Sequence, residues 1–318
     1  MYSNTHKAIK SWYAKHGRKT LPWRNTNNPY HIYLSEIMLQ QTQVTTVLER
    51  FYSPFLERFP SFESLAQADE ADVLKQWQGL GYYQRARNLH QCAKQTAPAL
   101  PKDVTSLIAL PGIGKTTAHA IAAFAYHQNV PILDANVKRL LYRIFAIEVR
   151  NEKLLWQKAE LLLDHHAPYI YNQALMDIGS TLCKPTKVDC KACPFIEICE
   201  GQTNPYLYPQ KKVTKKVPTK HKIYLISYNS KKEFITTKRE DRLLQGLWRF
   251  PEIEEAPEKA TYLGEVKHAY SHFKLTAKVY LEKSTFCNGQ KLDTITLQPH
   301  SKVEEKILLL LREQSHLS

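Results

Sequence analysis

Apolar residues recur with a helical period through roughly the first two thirds of the chain. Within residues 30–44 they fall at Tyr33, Leu34, Ile37, Met38 and Val44, close to the spacing of one helix face. The pattern continues over residues 73–77, 89–97, 116–126, 137–145, 154–163 and 174–182. Glycine and proline interrupt it at Gly79, Gly81, Pro98, Pro101, Pro111, Gly112 and Gly114, where turns are expected. Residues 201–232 contain no acidic residue but carry Lys211, Lys212, Lys215, Lys216, Lys220 and Lys222 among Pro205, Pro209 and Pro218. Beyond them, residues 222–228 and 233–237 read as strands. Phe273, Leu275, Ala277, Val279 and Leu281 alternate with polar residues as a half-buried strand does, and residues 303–312 close as a helix. The expected organisation is a mainly α region over 1–202, an extended basic linker over 203–221 and a small α+β domain over 222–318.

Composition narrows the class. The chain has 318 residues, is 43% hydrophobic and carries a formal net charge of +14, so it has cores to bury and a surface suited to a polyanion. It has no apolar run of about 18 residues, so no transmembrane helix is expected. Residues 1–19 are polar, without a secretory core, which makes a cytoplasmic protein the expectation. In that compartment clustered cysteines point to metal rather than disulfides. Cys183, Cys190, Cys193 and Cys199 follow C-x6-C-x2-C-x5-C. Four thiolates on short loops suit an iron–sulfur cube. Zinc is the rival, although its sites usually show two C-x2-C knuckles and only Cys190 and Cys193 form one here. Cys92 and Cys287 lie far from this group.

Leu110-Pro111-Gly112-Ile113-Gly114-Lys115 lies between two helical stretches. Closely spaced glycines allow a tight turn and close approach of a ligand. The helix that follows, opening at Lys115 or Thr116, offers free N–H groups to a phosphate. This is the build of a helix-hairpin-helix, which grips a DNA backbone without reading its sequence. The same residues imitate a P-loop, but Ala109 stands where that motif needs glycine, and residues 103–110 look helical rather than strand-like.

Two carboxylates stand out. Asp134 follows an apolar run and opens the next helix, which by itself describes an N-cap. Glu36 sits among apolar neighbours on a helix, and burial there would raise its pKa and keep a proton available. Cleaving an N-glycosidic bond calls for such a pair: an acid for the leaving base and an anion facing the oxocarbenium-like sugar.

With these residues in place, the chain resembles the MutY-type adenine DNA glycosylases of the helix-hairpin-helix, iron–sulfur superfamily. The matching segments are Leu21-Pro22-Trp23-Arg24, residues 34–44, Gly79-Leu80-Gly81-Tyr82-Tyr83, residues 110–118 and 131–139, and the four cysteines. The resemblance implies an α-helical glycosylase region with one [4Fe–4S] cluster and a C-terminal Nudix-like domain. It implies excision of adenine opposite 8-oxoguanine or guanine in double-stranded DNA, by a monomer working at the nucleoid, with the base flipped into a pocket. In that reading Glu36 protonates adenine and Asp134 stabilises the sugar cation, supported by Asn136. Trp23, Arg24 and Gln173 line the adenine pocket, and Gln41 and Tyr82 wedge into the stack. Gly112, Gly114, Lys115 and Thr116 hold the backbone, and Ser271 and His272 meet 8-oxoguanine.

Endonuclease III-type relatives carry a Schiff-base lysine where this chain has Thr116. Lys115 is one residue away, about 100° around the helix, so a monofunctional glycosylase is expected. Ala135 stands where the family usually has glycine and Tyr270 where it has phenylalanine, and the tail is shorter than usual. Two rivals remain: an endonuclease III-like enzyme for oxidised pyrimidines, and a non-catalytic iron–sulfur protein that binds DNA or senses redox state.

Overall fold

The computed structural model describes residues 2–210, 216–241, 244–285 and 288–313. Lys211, Lys212, Lys215 and Cys287 lie outside them. The helices are α1 (Ser3–His16), α2 (Pro29–Met38), α3 (Val44–Arg50), α4 (Tyr52–Arg58), α5 (Phe62–Gln67), α6 (Glu70–Gln76), α7 (Gln84–Thr96), α8 (Val104–Ile108), α9 (Lys115–Ala125), α10 (Ala135–Ile144), α11 (Glu152–Leu162), α12 (Pro168–Thr181), α13 (Leu292–Leu297) and α14 (Lys302–Arg312). The strands are β1 (Thr219–Tyr228), β2 (Glu233–Phe234), β3 (Thr237–Lys238), β4 (Trp248–Arg249), β5 (Glu252–Ile253), β6 (Thr261–Ala269), β7 (Lys274–Lys283) and β8 (Gln290–Lys291). Among the described residues no helix is long and apolar enough to cross a membrane.

Two compact units form. One joins Met1–Glu63 to Gln91–Val213; the other joins Ser64–His90 to Thr214–Ser318. The excursion of residues 64–90 into the tail's unit is not visible in the hydrophobic pattern, which runs through them as one helical region.

The first unit is built on α9. Its residues Ala118, Ala120, Ile121, Ala122, Ala123, Phe124 and Ala125 are buried, and small side chains on several faces let other helices approach closely. Helices of this unit start at side-chain caps. The Asn28 side chain accepts from Tyr30 N ahead of α2, Asp134 from Val137 N ahead of α10, and Asn151 from Leu154 N ahead of α11. The helix expected over residues 30–44 is two helices. Gln41 takes a left-handed backbone, φ 59°, and the chain turns before α3 begins at Val44.

In the second unit β1 pairs in parallel with β7 over its whole length, from Thr219 opposite Lys274 to Tyr228 opposite Lys283. β6 and β7 form an antiparallel hairpin, and the sheet order is β6-β7-β1-β2-β8 with β5 also on β1. Ile226, Phe234, Ala277, Val279, Val303, Ile307 and Leu311 bury one core between sheet and α14. Arg239 is buried within this unit and pairs with Glu304 at 3.0 Å and Glu252 at 3.3 Å.

Candidate active site

A cleft of about 230 Å³ opens in the first unit. Trp23, Arg24, Glu36, Thr116, Asp134, Asn136 and Gln173 all line it, so seven of the residues singled out from sequence converge on one cavity. They come from five places: the turn at Pro22–Arg24, α2, α9, the start of α10, and α12.

Glu36 and Asp134 are held differently. Asp134 caps α10: Oδ1 accepts from Val137 N at 2.7 Å, and Oδ2 accepts from Asn136 Nδ2 at 3.1 Å. Glu36 stands on α2 between buried Ser35 and Ile37. Burial pushes its carboxyl up to about 7, and the neighbouring Asp134 charge pushes the same way against the opposing pull of Arg24. Asp134 is also raised by burial, but its backbone and amide donors pull it back down. The pair therefore offers a proton from Glu36 near neutrality beside an Asp134 whose N–H donors favour its ionised form.

Arg139 reaches from Asn136 to the cysteine loop. Its NH2 donates to Asn136 Oδ1 at 3.0 Å and to Gly179 O at 2.6 Å, while its Nε donates to Cys183 O at 2.8 Å. Gly179 is required by this close approach of α12 to α10, since a Cβ there would stand 2.8 Å from Asn136 Cβ.

Two residues that the sequence reading passed over, Arg18 and Asp177, brace the cleft: Arg18 lines it, and Asp177 holds Arg18 and Arg24. Asp177 is fully buried on α12. It accepts from Arg24 at 2.7 and 3.0 Å, and from Arg18 through Nε at 2.7 Å and the backbone N at 2.9 Å. Its carboxyl is held low by Arg24 and Arg18 although burial alone would raise it. The available signal was a lone carboxylate inside the apolar run Leu175-Met176-Asp177-Ile178, which buries only with a cationic partner. Gln173, one turn earlier, is 3% exposed, and its Oε1 has no hydrogen-bond partner.

Thr116 lines the cleft and donates its hydroxyl to Leu133 O at 3.3 Å. Lys115 is turned elsewhere, its Nζ 4.3 Å from the centre of the Trp156 ring. Gly112 has φ 76°, a conformation that the hairpin needs and a side chain would strain, and Gly114 caps α9. Residues 103–110 contain α8 and residues 130–134 form no strand, as suits a hairpin and not a P-loop. Ala135 is the first residue of α10 and exposed, so its backbone makes no demand for glycine.

Gln41 and Tyr82 do not line the cleft. Both are exposed, and both adopt positive φ, 59° and 52°. Such strain typically costs about 1–3 kcal/mol and gathers at functional sites. Ser271 and His272 sit exposed at the tip of the β6–β7 hairpin, Ser271 Oγ 3.4 Å from His272 Nδ1.

Cys183, Cys190, Cys193 and Cys199 surround one small hollow, joined by Leu140, Ile144, Leu182, Val188 and Phe195. All four are free thiols. Among the described residues no three His, Cys, Asp or Glu gather tightly enough for a single metal ion. Cys92 is buried far from them in sequence.

Residues 34–163 match the family model for HhH-GPD superfamily base excision DNA repair proteins. The chain is 36% identical over 296 residues to the adenine DNA glycosylase of Buchnera aphidicola subsp. Baizongia pistaciae, covering 85% of this chain and 83% of that protein. It belongs to the adenine DNA glycosylases. It is therefore a base-excision repair enzyme that hydrolyses N-glycosyl bonds in DNA. The solved structure of a thermostable thymine-DNA glycosylase is 28% identical, with TM-score 0.57 over 62% of this chain and 94% of that one. An endonuclease III–DNA complex, at 16% identity and TM-score 0.53 over 62% of this chain and 92% of that one, shares the fold. The glycosylase thus has the helical fold expected of it, with a sheet-containing domain at its C-terminus.

Proposed function

We propose that this glycosylase removes adenine from duplexes in which it is mispaired with 8-oxoguanine, or more slowly with guanine, and leaves the strand uncut. The observation that carries the reading is the convergence of Glu36 and Asp134 on one cleft, Glu36 pushed up to about 7 and Asp134 held by the Val137 and Asn136 N–H donors. Adenine presents an exocyclic amine donor and the N7 acceptor. The unsatisfied Gln173 Oε1 is suited to the amine, and protonated Glu36 to N7. Proton transfer from Glu36 makes the base a neutral leaving group as the C1′–N9 bond breaks. Asp134, fixed by Val137 N and Asn136, faces the positive charge that develops on the sugar. Water then adds to C1′ and returns its proton to Glu36, giving free adenine and an abasic site.

Thr116 has no amine to attack the sugar, and Lys115 is occupied over Trp156, which supports glycosylase chemistry without a Schiff base. Gln41 and Tyr82 would wedge into the stack, while Gly112, Gly114 and Lys115 would hold phosphate. Ser271 and His272, on the tail read as Nudix-like, would meet the 8-oxoguanine edge.

The four cysteines fit one [4Fe–4S] cluster better than zinc. A single zinc ion draws all its sulfurs within about 2.3 Å of one centre, whereas a cube presents a separate iron to each thiolate. The cluster would supply rigid cross-linking of this loop, which displays Lys184, Lys187 and Lys191 to solvent for phosphate contact.

Single-turnover assays on A·8-oxoguanine and A·G duplexes test the proposal. Free adenine is expected from both, faster opposite 8-oxoguanine. Absence of adenine release sinks it, and strong borohydride trapping would instead support a lyase.

A further inference from the structure

Residues 64–90 are fastened to the tail by a polar clamp at the base of the Gly79–Tyr82 turn. Lys75 Nζ donates to Thr296 O at 2.8 Å and Gln298 O at 3.2 Å. Gln78 holds both ends of its amide on His300: Nε2 lies 3.0 Å from His300 Nε2, and Oε1 accepts from His300 N at 3.4 Å. Tyr83 donates its hydroxyl to His300 O at 3.0 Å. His300 and Tyr83 are 3% and 4% exposed, so these bonds are sheltered from water and hold their geometry. The clamping segment is itself anchored, with Trp248 N donating to Pro299 O at 2.9 Å and Ser301 capping α14. Between the clamped Gln78 and Tyr83 lies a turn with φ of 98° at Gly79, 78° at Gly81 and 52° at Tyr82. The left-handed, 46% exposed Tyr82 is braced locally by the Arg85 guanidinium 5.2 Å from its ring centre, and the two ends of its turn are fixed by the clamp.

We propose that Gln78, Tyr83 and His300 are positioning residues by which the C-terminal domain sets the presentation of Tyr82 to DNA. Tyr270, at the base of the Ser271–His272 tip, has its hydroxyl turned to Ser301. The same segment therefore also carries the tip, and wedge and tip form one block. The inference rests on the proposed wedge role of Tyr82 and deepens it: a domain otherwise concerned with the opposing base also tunes insertion into the stack.

The test uses the full chain. Gln78→Leu and Tyr83→Phe are introduced together, and Tyr82→Ala is made in both backgrounds. Tyr82→Ala is expected to slow adenine release about tenfold in the native background and less than twofold in the unclamped one, since neighbouring sites that act together are not additive. Amide exchange across residues 79–83 should speed more than tenfold in the unclamped protein, with smaller acceleration at residues 270–273. An equal Tyr82→Ala effect in both backgrounds, or unchanged exchange at 79–83, overturns the proposal. If Tyr82→Ala is silent in the native protein, the wedge reading fails, and exchange alone then decides whether the clamp exists. Gln78→Leu alone gives the same readouts should the pair not fold.

Discussion

Two carboxylates are buried to opposite effect, one behind the arginines that line the cleft and one in the cleft itself. In the first case Asp177 is enclosed by Arg24 and Arg18, and its charged form is favoured. In the second, Glu36 sits among apolar neighbours with Asp134 nearby, and its neutral form is favoured up to about 7. Burial is common to both, and the partners decide the sign. Asp177 is thereby a fixed anion that locks two arginines in place, whereas Glu36 is left able to give and regain a proton.

The largest effect that could break this contrast is at the reactive carboxylate. Glu36→Gln should lower single-turnover adenine release by about 10²–10⁴-fold, the usual contribution of a general acid, while leaving duplex binding within severalfold in a gel-shift titration. Near-normal turnover would remove Glu36 from its role, and the same holds for Asp134→Asn. At the structural carboxylate, Asp177→Asn leaves Arg24 buried without its anion. It should destabilise the fold by about 3–5 kcal/mol, read by urea unfolding. A loss below about 1 kcal/mol would make the pair a bystander.

The pH dependence sharpens the same comparison. Glu36 must be protonated to act as acid, so the release rate should fall as pH rises through about 7. Asp134 must be ionised, so the rate should also fall as pH drops through the titration of Asp134. Stability carries the sign as well: ionising Glu36 costs the folded state, since its folded pKa lies above its ordinary 4.5. That cost is absent below about pH 4.5, grows to about pH 7 and is constant above. Glu36→Gln should accordingly raise the melting temperature more at pH 8 than at pH 4. The smallest expected effect lies outside the cleft: Lys115→Ala should weaken binding alike on matched and mismatched duplexes and reduce the salt slope by about one.

Residue chemistry with strong local logic was legible without coordinates. Asp134 reads as an N-cap and is one, and Gly112-Ile113-Gly114 reads as a hairpin and forms one, because caps and turns are decided within a few residues. Helix 30–44 was drawn too long because periodicity does not register the single left-handed residue, Gln41, that breaks it. Strand β6 was overlooked, its nine residues including exposed Tyr262 and a glycine at 264 that disturb alternation.

The amino-acid sequence by itself determined which groups are present and how each begins its element: four cysteines at cluster spacing, a capping aspartate, threonine in place of lysine at 116. Only the tertiary structure decided what those groups become. It buried Glu36 beside Asp134, gave the hydrogen bonds of both Arg24 and Arg18 to Asp177, and carried residues 64–90 into the tail's unit. The physical reason is that pKa and presentation depend on desolvation and on partners up to 159 residues away in the chain, and no local pattern encodes these.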